Sequence, residues 1–154
     1  MDEEVYNYLK EYGFSDEELD SFQEENDKMF FTDLEEVKKN TSFLEGKKLT
    51  KDEIINLLKI NPFMITVKDN RLKALEQIYY NVLKVNDEEL KQLLIDNSDA
   101  FIASPIELQK NIDYMSENKC SHESIKKFIL SNPKVINMYL DEFKKIVKFK
   151  KGNV

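Results

Sequence analysis

The sequence has no tryptophan, one cysteine, one histidine, three glycines and three prolines, and Arg71 is its one arginine. One cysteine excludes an internal disulfide framework and fits a reducing compartment. Three glycines leave no glycine-rich phosphate loop. No cluster of His, Cys, Asp and Glu has metal-ligand spacing. Cys120 and His122 stand two residues apart at an expected helix start, where side chains do not face each other, so a Cys–His nucleophile pair is not expected. Acid pairs such as Glu17-Glu18 and Glu88-Glu89 suit the positive end of a helix dipole better than acid/base chemistry. No apolar run approaches the about 18 residues of a membrane helix. The start, Met1-Asp2-Glu3-Glu4, lacks both the basic opening of a signal peptide and the Arg-rich bias of a transit peptide. These absences predict a non-enzymatic protein with no cofactor, metal or membrane contact and no evident small-molecule substrate. The expected location is cytoplasmic.

What the sequence has is repetition. Blocks aligned at Phe14, Leu49, Val85 and Cys120 start 35, 36 and 35 residues apart. The second place of each is small and polar: Ser15, Thr50, Asn86, Ser121. Acids follow, and apolar residues take the sixth and ninth places: Leu19 and Phe22, Ile54 and Leu57, Leu90 and Leu93, Ile125 and Phe128. The thirteenth place is always Asn: Asn26, Asn61, Asn97, Asn132. A fixed period of this size marks a solenoid, whose units bury their apolar faces against their neighbours.

Each block reads as a helix, a corner and a second helix. The second-place side chain can cap the first helical turn, and Ser15…Glu18 and Thr50…Glu53 are capping boxes, with Asn86…Glu89 a close variant. The repeated Asn ends the helix, in two blocks directly before Pro62 or Pro133. The residue before proline leaves the helical region, and Asn tolerates left-handed geometry. Met29-Phe30, Met64-Ile65, Ala100-Phe101 and Val135-Ile136 then read as a short helical or 3₁₀ turn that plugs the core. The second helix carries its apolar stripe from the twenty-fourth place (Val37, Leu72, Leu108, Phe143), and Asn40 and Thr41 interrupt the stripe of the first block. Cys120, in the place of Phe14, Leu49 and Val85, reads as a small buried hydrophobe. Extended backwards, the frame makes residues 1–13 a half-repeat, with Val5, Tyr8 and Leu9 on its inner face and Gly13 closing it. The expected architecture is all-α: a right-handed-type helical-repeat solenoid in a single domain, 1–154. It comprises a cap, 1–13, and repeats 14–48, 49–84, 85–119 and 120–154 of about 35 residues.

The block from Leu49, with Asn61-Pro62-Phe63-Met64-Ile65 at its corner, and the block from Cys120, with Asn132-Pro133-Lys134-Val135-Ile136, resemble the repeat of the mitochondrial transcription termination factor (mTERF) family. The resemblance covers 49–154 well. It is weak over 14–48, where Asn26-Asp27 replaces Asn-Pro. It implies a curved solenoid whose concave basic face binds double-stranded DNA or structured RNA. Tetratricopeptide repeats are excluded by the missing Trp and the scarcity of Gly.

The net charge of −7 hides a gradient. Residues 1–36 hold 14 acids against 2 lysines, net −12, and residues 37–154 hold 21 bases against 16 acids, net +5. In the basic part and at its border, the second helices carry Lys38, Lys39, Lys73, Lys110, Lys144 and Lys145, followed by Lys148. Stacked repeats would align these as a stripe that tracks a phosphate backbone. The same places, turned away from the apolar stripe, also suit a solvated outer face. Two functions are consistent with this charge pattern. One is a nucleic-acid-binding solenoid with a lysine stripe on phosphates and, through the resemblance, a role in regulating transcription. With a single arginine it would not read sequence. The other is a protein-binding adaptor or inhibitor whose acidic surface, residues 1–36, docks on a basic protein partner and mimics nucleic-acid charge.

Overall fold

A computed structural model describes residues 1–147 of the chain. Lys148 and the residues after it lie outside the described residues. Among the described residues every regular element is helical. The chain divides into two compact units, Met1–Asn70 and a second that begins at Arg71.

The first unit holds α1 (Glu3–Tyr12), α2 (Asp16–Glu25), a 3₁₀ turn (Asp27–Phe30), α3 (Leu34–Gly46), α4 (Lys51–Ile60) and a 3₁₀ turn (Pro62–Thr66). At the boundary α5 begins (Asp69–Gln77), and one π-helical turn (Ile78–Val82) extends it. The second unit continues with α6 (Asp87–Asp96), α7 (Pro105–Glu117), α8 (His122–Ser131), a 3₁₀ turn (Pro133–Asn137) and α9 (Leu140–Ile146). Between α6 and α7 the corner is a plain hydrogen-bonded turn, closed by Ala100 N–H to Asn97 C=O at 3.1 Å.

The repeated polar second place starts α2, α4, α6 and α8. Ser15, Thr50 and Asn86 each close a full capping box with the glutamate three residues on. Glu89 N–H donates to Asn86 Oδ1 at 2.8 Å, and Asn86 N–H donates back to Glu89 Oε1 at 3.0 Å. Each such cap stabilises its helix by about 1 kcal/mol. Val37, Leu72, Leu108 and Phe143, one per second helix, are all buried. Cys120 is half-buried, unlike Phe14, Leu49 and Val85 in its place.

The repeated asparagines end α2, α4, α6 and α8, but not in left-handed geometry: their φ values are −129°, −132°, −139° and −133°. The extended backbone frees the side chain to cap the 3₁₀ turn of the corner. Asn26 and Asn61 accept from Lys28 N–H and Phe63 N–H, each at 3.2 Å. Left-handed backbone is found instead where the second helices end, at Gly13 (φ 136°), Lys48 (64°), Lys84 (62°) and Lys119 (64°). Each lies directly before the next block.

Two expectations fail in the first block. Asn40 and Thr41 do not break the packing of α3, because both are buried. Asn40 Nδ2 donates to the carbonyls of Met64, Ile65 and Val67 at 3.1, 2.8 and 3.0 Å. Phe30 does not plug the core. Met29 fills this corner alone, and Phe30 lies 53 % exposed.

Candidate nucleic-acid interface

The lysines singled out by the repeat frame sit on second helices: Lys38 and Lys39 on α3, Lys73 on α5, Lys110 on α7, Lys144 and Lys145 on α9. All six are exposed. They are separated from the core by the helix itself, because the neighbouring twenty-fourth place points inward.

First-helix lysines have a different job. Lys59 on α4 binds Glu18 at 2.8 Å within the first unit, and Lys126 on α8 binds Glu89 at 2.9 Å within the second. Each ties a helix to the capping box of the preceding repeat. The carboxyl of Glu18 is held below the ordinary range by the Lys59 ammonium and the Ser15 N–H. For Glu89, burial pushes the pKa up, but the bonds from Asn86 N–H and Lys126 outweigh it and the net shift is downward.

On the second helices the charges are held less tightly. Lys110 Nζ lies 3.3 Å from Glu107 Oε1, one turn back on α7. Lys39 and Lys145 have no ion pair among the described residues. Lys38 and Lys144 stand over aromatic rings. Lys38 Nζ is 5.7 Å from the centroid of Tyr8, and Lys144 Nζ is 5.2 Å from that of Tyr114. The two couples are equivalent: the lysine takes the twenty-fifth place of its repeat and the tyrosine the thirtieth place of the one before. A cation over a ring face is held without being neutralised, so its charge stays available to an anion. Lys73 lines a shallow cleft with Glu76, Gln77, Tyr80 and Asn81.

Sequence reasoning missed Tyr8 and Tyr114, although both occupy the same place in the frame. Arg71 is engaged within the second unit, where its Nη1 donates to Ile102 C=O at 3.1 Å. Among the described residues no group of acids, histidine or cysteine could hold a metal ion, and no helix is long and apolar enough to cross a membrane.

The model of the mTERF family matches residues 8–153. The chain belongs to the mTERF family. The match takes in residues 14–48, so membership runs through the acidic first block as well as the later ones. Two relatives are named mitochondrial transcription termination factor 3. The mouse protein is 26 % identical over 92 residues, 60 % of this chain and 22 % of its own length. The rat protein is 25 % identical over 92 residues, with the same coverage. This chain therefore spans about a fifth of the length of the mTERF relatives it matches. Both relatives are mitochondrial, and this corrects the expectation of a cytoplasmic location. That expectation rested on the single cysteine and on the lack of a recognisable signal, transit or transmembrane segment.

Proposed function

We propose that this chain is a non-enzymatic nucleic-acid-binding mTERF protein that holds a phosphate backbone with the lysines of its second helices. The observation that carries the reading is the Lys38–Tyr8 couple in the first unit and its counterpart Lys144–Tyr114 in the second. Exposed cations kept apart from carboxylates, at one place in the repeat, are what a polyanion requires. Lys39 and Lys145 add charge on the same two helices, Lys73 and Lys110 on α5 and α7, and Lys148 follows in the sequence. Affinity in this reading is electrostatic and tolerant of sequence, because lysine acts as a point charge and the one arginine is bonded to a turn. The ligand is double-stranded DNA or structured RNA. The relatives' names support a role in transcription and its termination.

Fluorescence anisotropy with labelled duplex DNA and hairpin RNA, over a salt series, tests this. The expected result is binding whose log affinity falls linearly with log salt, the slope shrinking by about 1 for each phosphate contact removed. Charge reversal at Lys73, Lys110 and Lys144 is expected to weaken binding to all sequences alike. Equal affinity of wild type and triple variant would overturn the reading.

A further inference from the structure

The corner of the first repeat carries apolar side chains that the fold does not use. In the other three repeats the residue at the place of Phe30 is Ile65, Phe101 or Ile136, exposed by 0 %, 0 % and 1 %. Phe30 is 53 % exposed, and Phe31 beside it is 89 % exposed. The core at this corner is already filled by Met29, which is fully buried. The neighbouring corner, Pro62–Thr66, packs against this one and is tied to it by the Asn26 side chain, whose Nδ2 donates to Pro62 C=O and Thr66 Oγ1. It adds Phe63, 46 % exposed, and Ile60 just before it is 74 % exposed. Singly exposed apolar residues are ordinary, but three phenylalanines on two adjoining corners, with Ile60 at the end of α4, make a patch.

The sequence around Phe30 and Phe31 is acidic. Glu25 and Asp27 precede Phe30, and Asp33 and Glu35 follow Phe31, all exposed. Lys28 is the one base among residues 14–36, against ten acids. An apolar patch within such a field repels anionic lipid and nucleic acid and attracts cations.

We propose that the Phe30–Phe31 corner is a docking site for another protein, and that its occupant is a basic amphipathic helix. The apolar face of that helix covers Phe30, Phe31 and Phe63, and its lysines and arginines meet the flanking carboxylates. Aromatic anchors at the centre with charges at the rim are the usual division of labour in such contacts. Its aromatic anchors belong to the corner, whereas Lys38 and Lys39 belong to the second helix of the repeat, so the proposal adds a protein partner to a nucleic-acid binder.

The test uses the full chain and a labelled amphipathic peptide of about 18 lysines and leucines, with the leucines on one helical face. Expected is saturable binding that weakens with salt, and about tenfold or greater loss in the Phe30→Ser, Phe31→Ser double variant. Both positions are exposed, so the variant is expected to keep its circular dichroism and melting temperature. An Asp27→Lys, Glu35→Lys variant is expected to lose affinity while the phenylalanines remain. Duplex DNA binding is to stay within about twofold in the Phe30→Ser, Phe31→Ser variant, which separates this site from the lysines. Equal binding of a scrambled peptide, or equal binding by the serine variant, would overturn the proposal. So would sedimentation showing that the patch is covered by a second copy of this chain at the concentrations used.

Discussion

Asn26 and Pro62 are joined across 36 residues: the Asn26 amide donates to the Pro62 carbonyl at 3.2 Å. The second unit repeats the bond, from Asn97 to Pro133, again across 36 residues and at 2.9 Å. A second pair of asparagines does the same from the second helices. Asn40 bonds the carbonyls that follow Pro62, and Asn111 bonds Met138 C=O at 2.8 Å. Asn26 and Asn40 are both buried, so truncating either removes buried hydrogen bonds to the corner. Asn26→Ala and Asn40→Ala are each expected to lower the stability of the protein by about 2–3 kcal/mol, measured by urea denaturation. Asn132→Ala is the control. Its exposed amide turns back to Phe128 C=O, and its loss is expected to fall within about 0.5 kcal/mol of wild type.

The left-handed residues make a second prediction with opposite signs at equivalent places. Lys84 holds φ at 62° with a Cβ attached, a conformation glycine adopts without strain. Lys84→Gly is expected to raise stability by about 0.5–1 kcal/mol, the strain relieved less the added freedom of the unfolded chain. Gly13→Ala is expected to lower it by more than that. Its φ is 136°, and a Cβ there would sit 2.7 Å from Cδ1 of Ile55. Thermal melts of the two variants check both signs.

Acid should weaken the tie between Glu89 and Lys126. Glu89 has a lowered pKa in the folded chain, from an ordinary value of 4.5. As pH falls the unfolded chain therefore takes up the proton first. The stabilisation is complete above that value and is lost as pH drops through the folded pKa. Lys126→Met is expected to lower stability by about 0.5–1 kcal/mol at neutral pH, and the gap to wild type should shrink by about pH 3. Denaturation midpoints across a pH series show whether the two curves converge.

Tyr114 offers a test of the couples beneath the lysines. It supports Lys144 and also meets Phe143 edge-on, with centroids 6.3 Å apart. Tyr114→Leu keeps apolar bulk against Phe143 but removes the ring face. A loss of about 0.5–1 kcal/mol in duplex affinity, or two- to fivefold, is expected. Unchanged affinity would mean that Lys144 does not need its platform.

The frame of the repeat was legible because helix starts and buried faces are local. Ser15, Thr50 and Asn86 meet their glutamates three residues away, and Val37 or Leu108 needs only the helical period to point inward. The asparagines were harder. Their recurrence was plain, but it suggested a strained local turn, whereas the structure uses an extended backbone and sends the amide of Asn26 or Asn97 to the next corner. A bond across 36 residues leaves no local signature. Asn40 is opaque for the same reason, since a polar residue in an apolar stripe signals an interruption until its partners are in place. The outward turn of Phe30 leaves no mark in the repeat, because its place is apolar in all four blocks. The lysines follow from spacing alone, whereas the tyrosines beneath Lys38 and Lys144 do not, because each belongs to the preceding repeat.

The asparagine bonds aim chiefly at main-chain carbonyls. A carbonyl is supplied by any amino acid, so these joints are indifferent to the side chains on the far corner. Met64, Ile65 and Val67 could be exchanged for other residues of similar bulk and still be gripped by Asn40. Copies held in this way can drift apart in charge and surface chemistry without losing their fit. That freedom lets strongly acidic and lysine-bearing surfaces share one architecture.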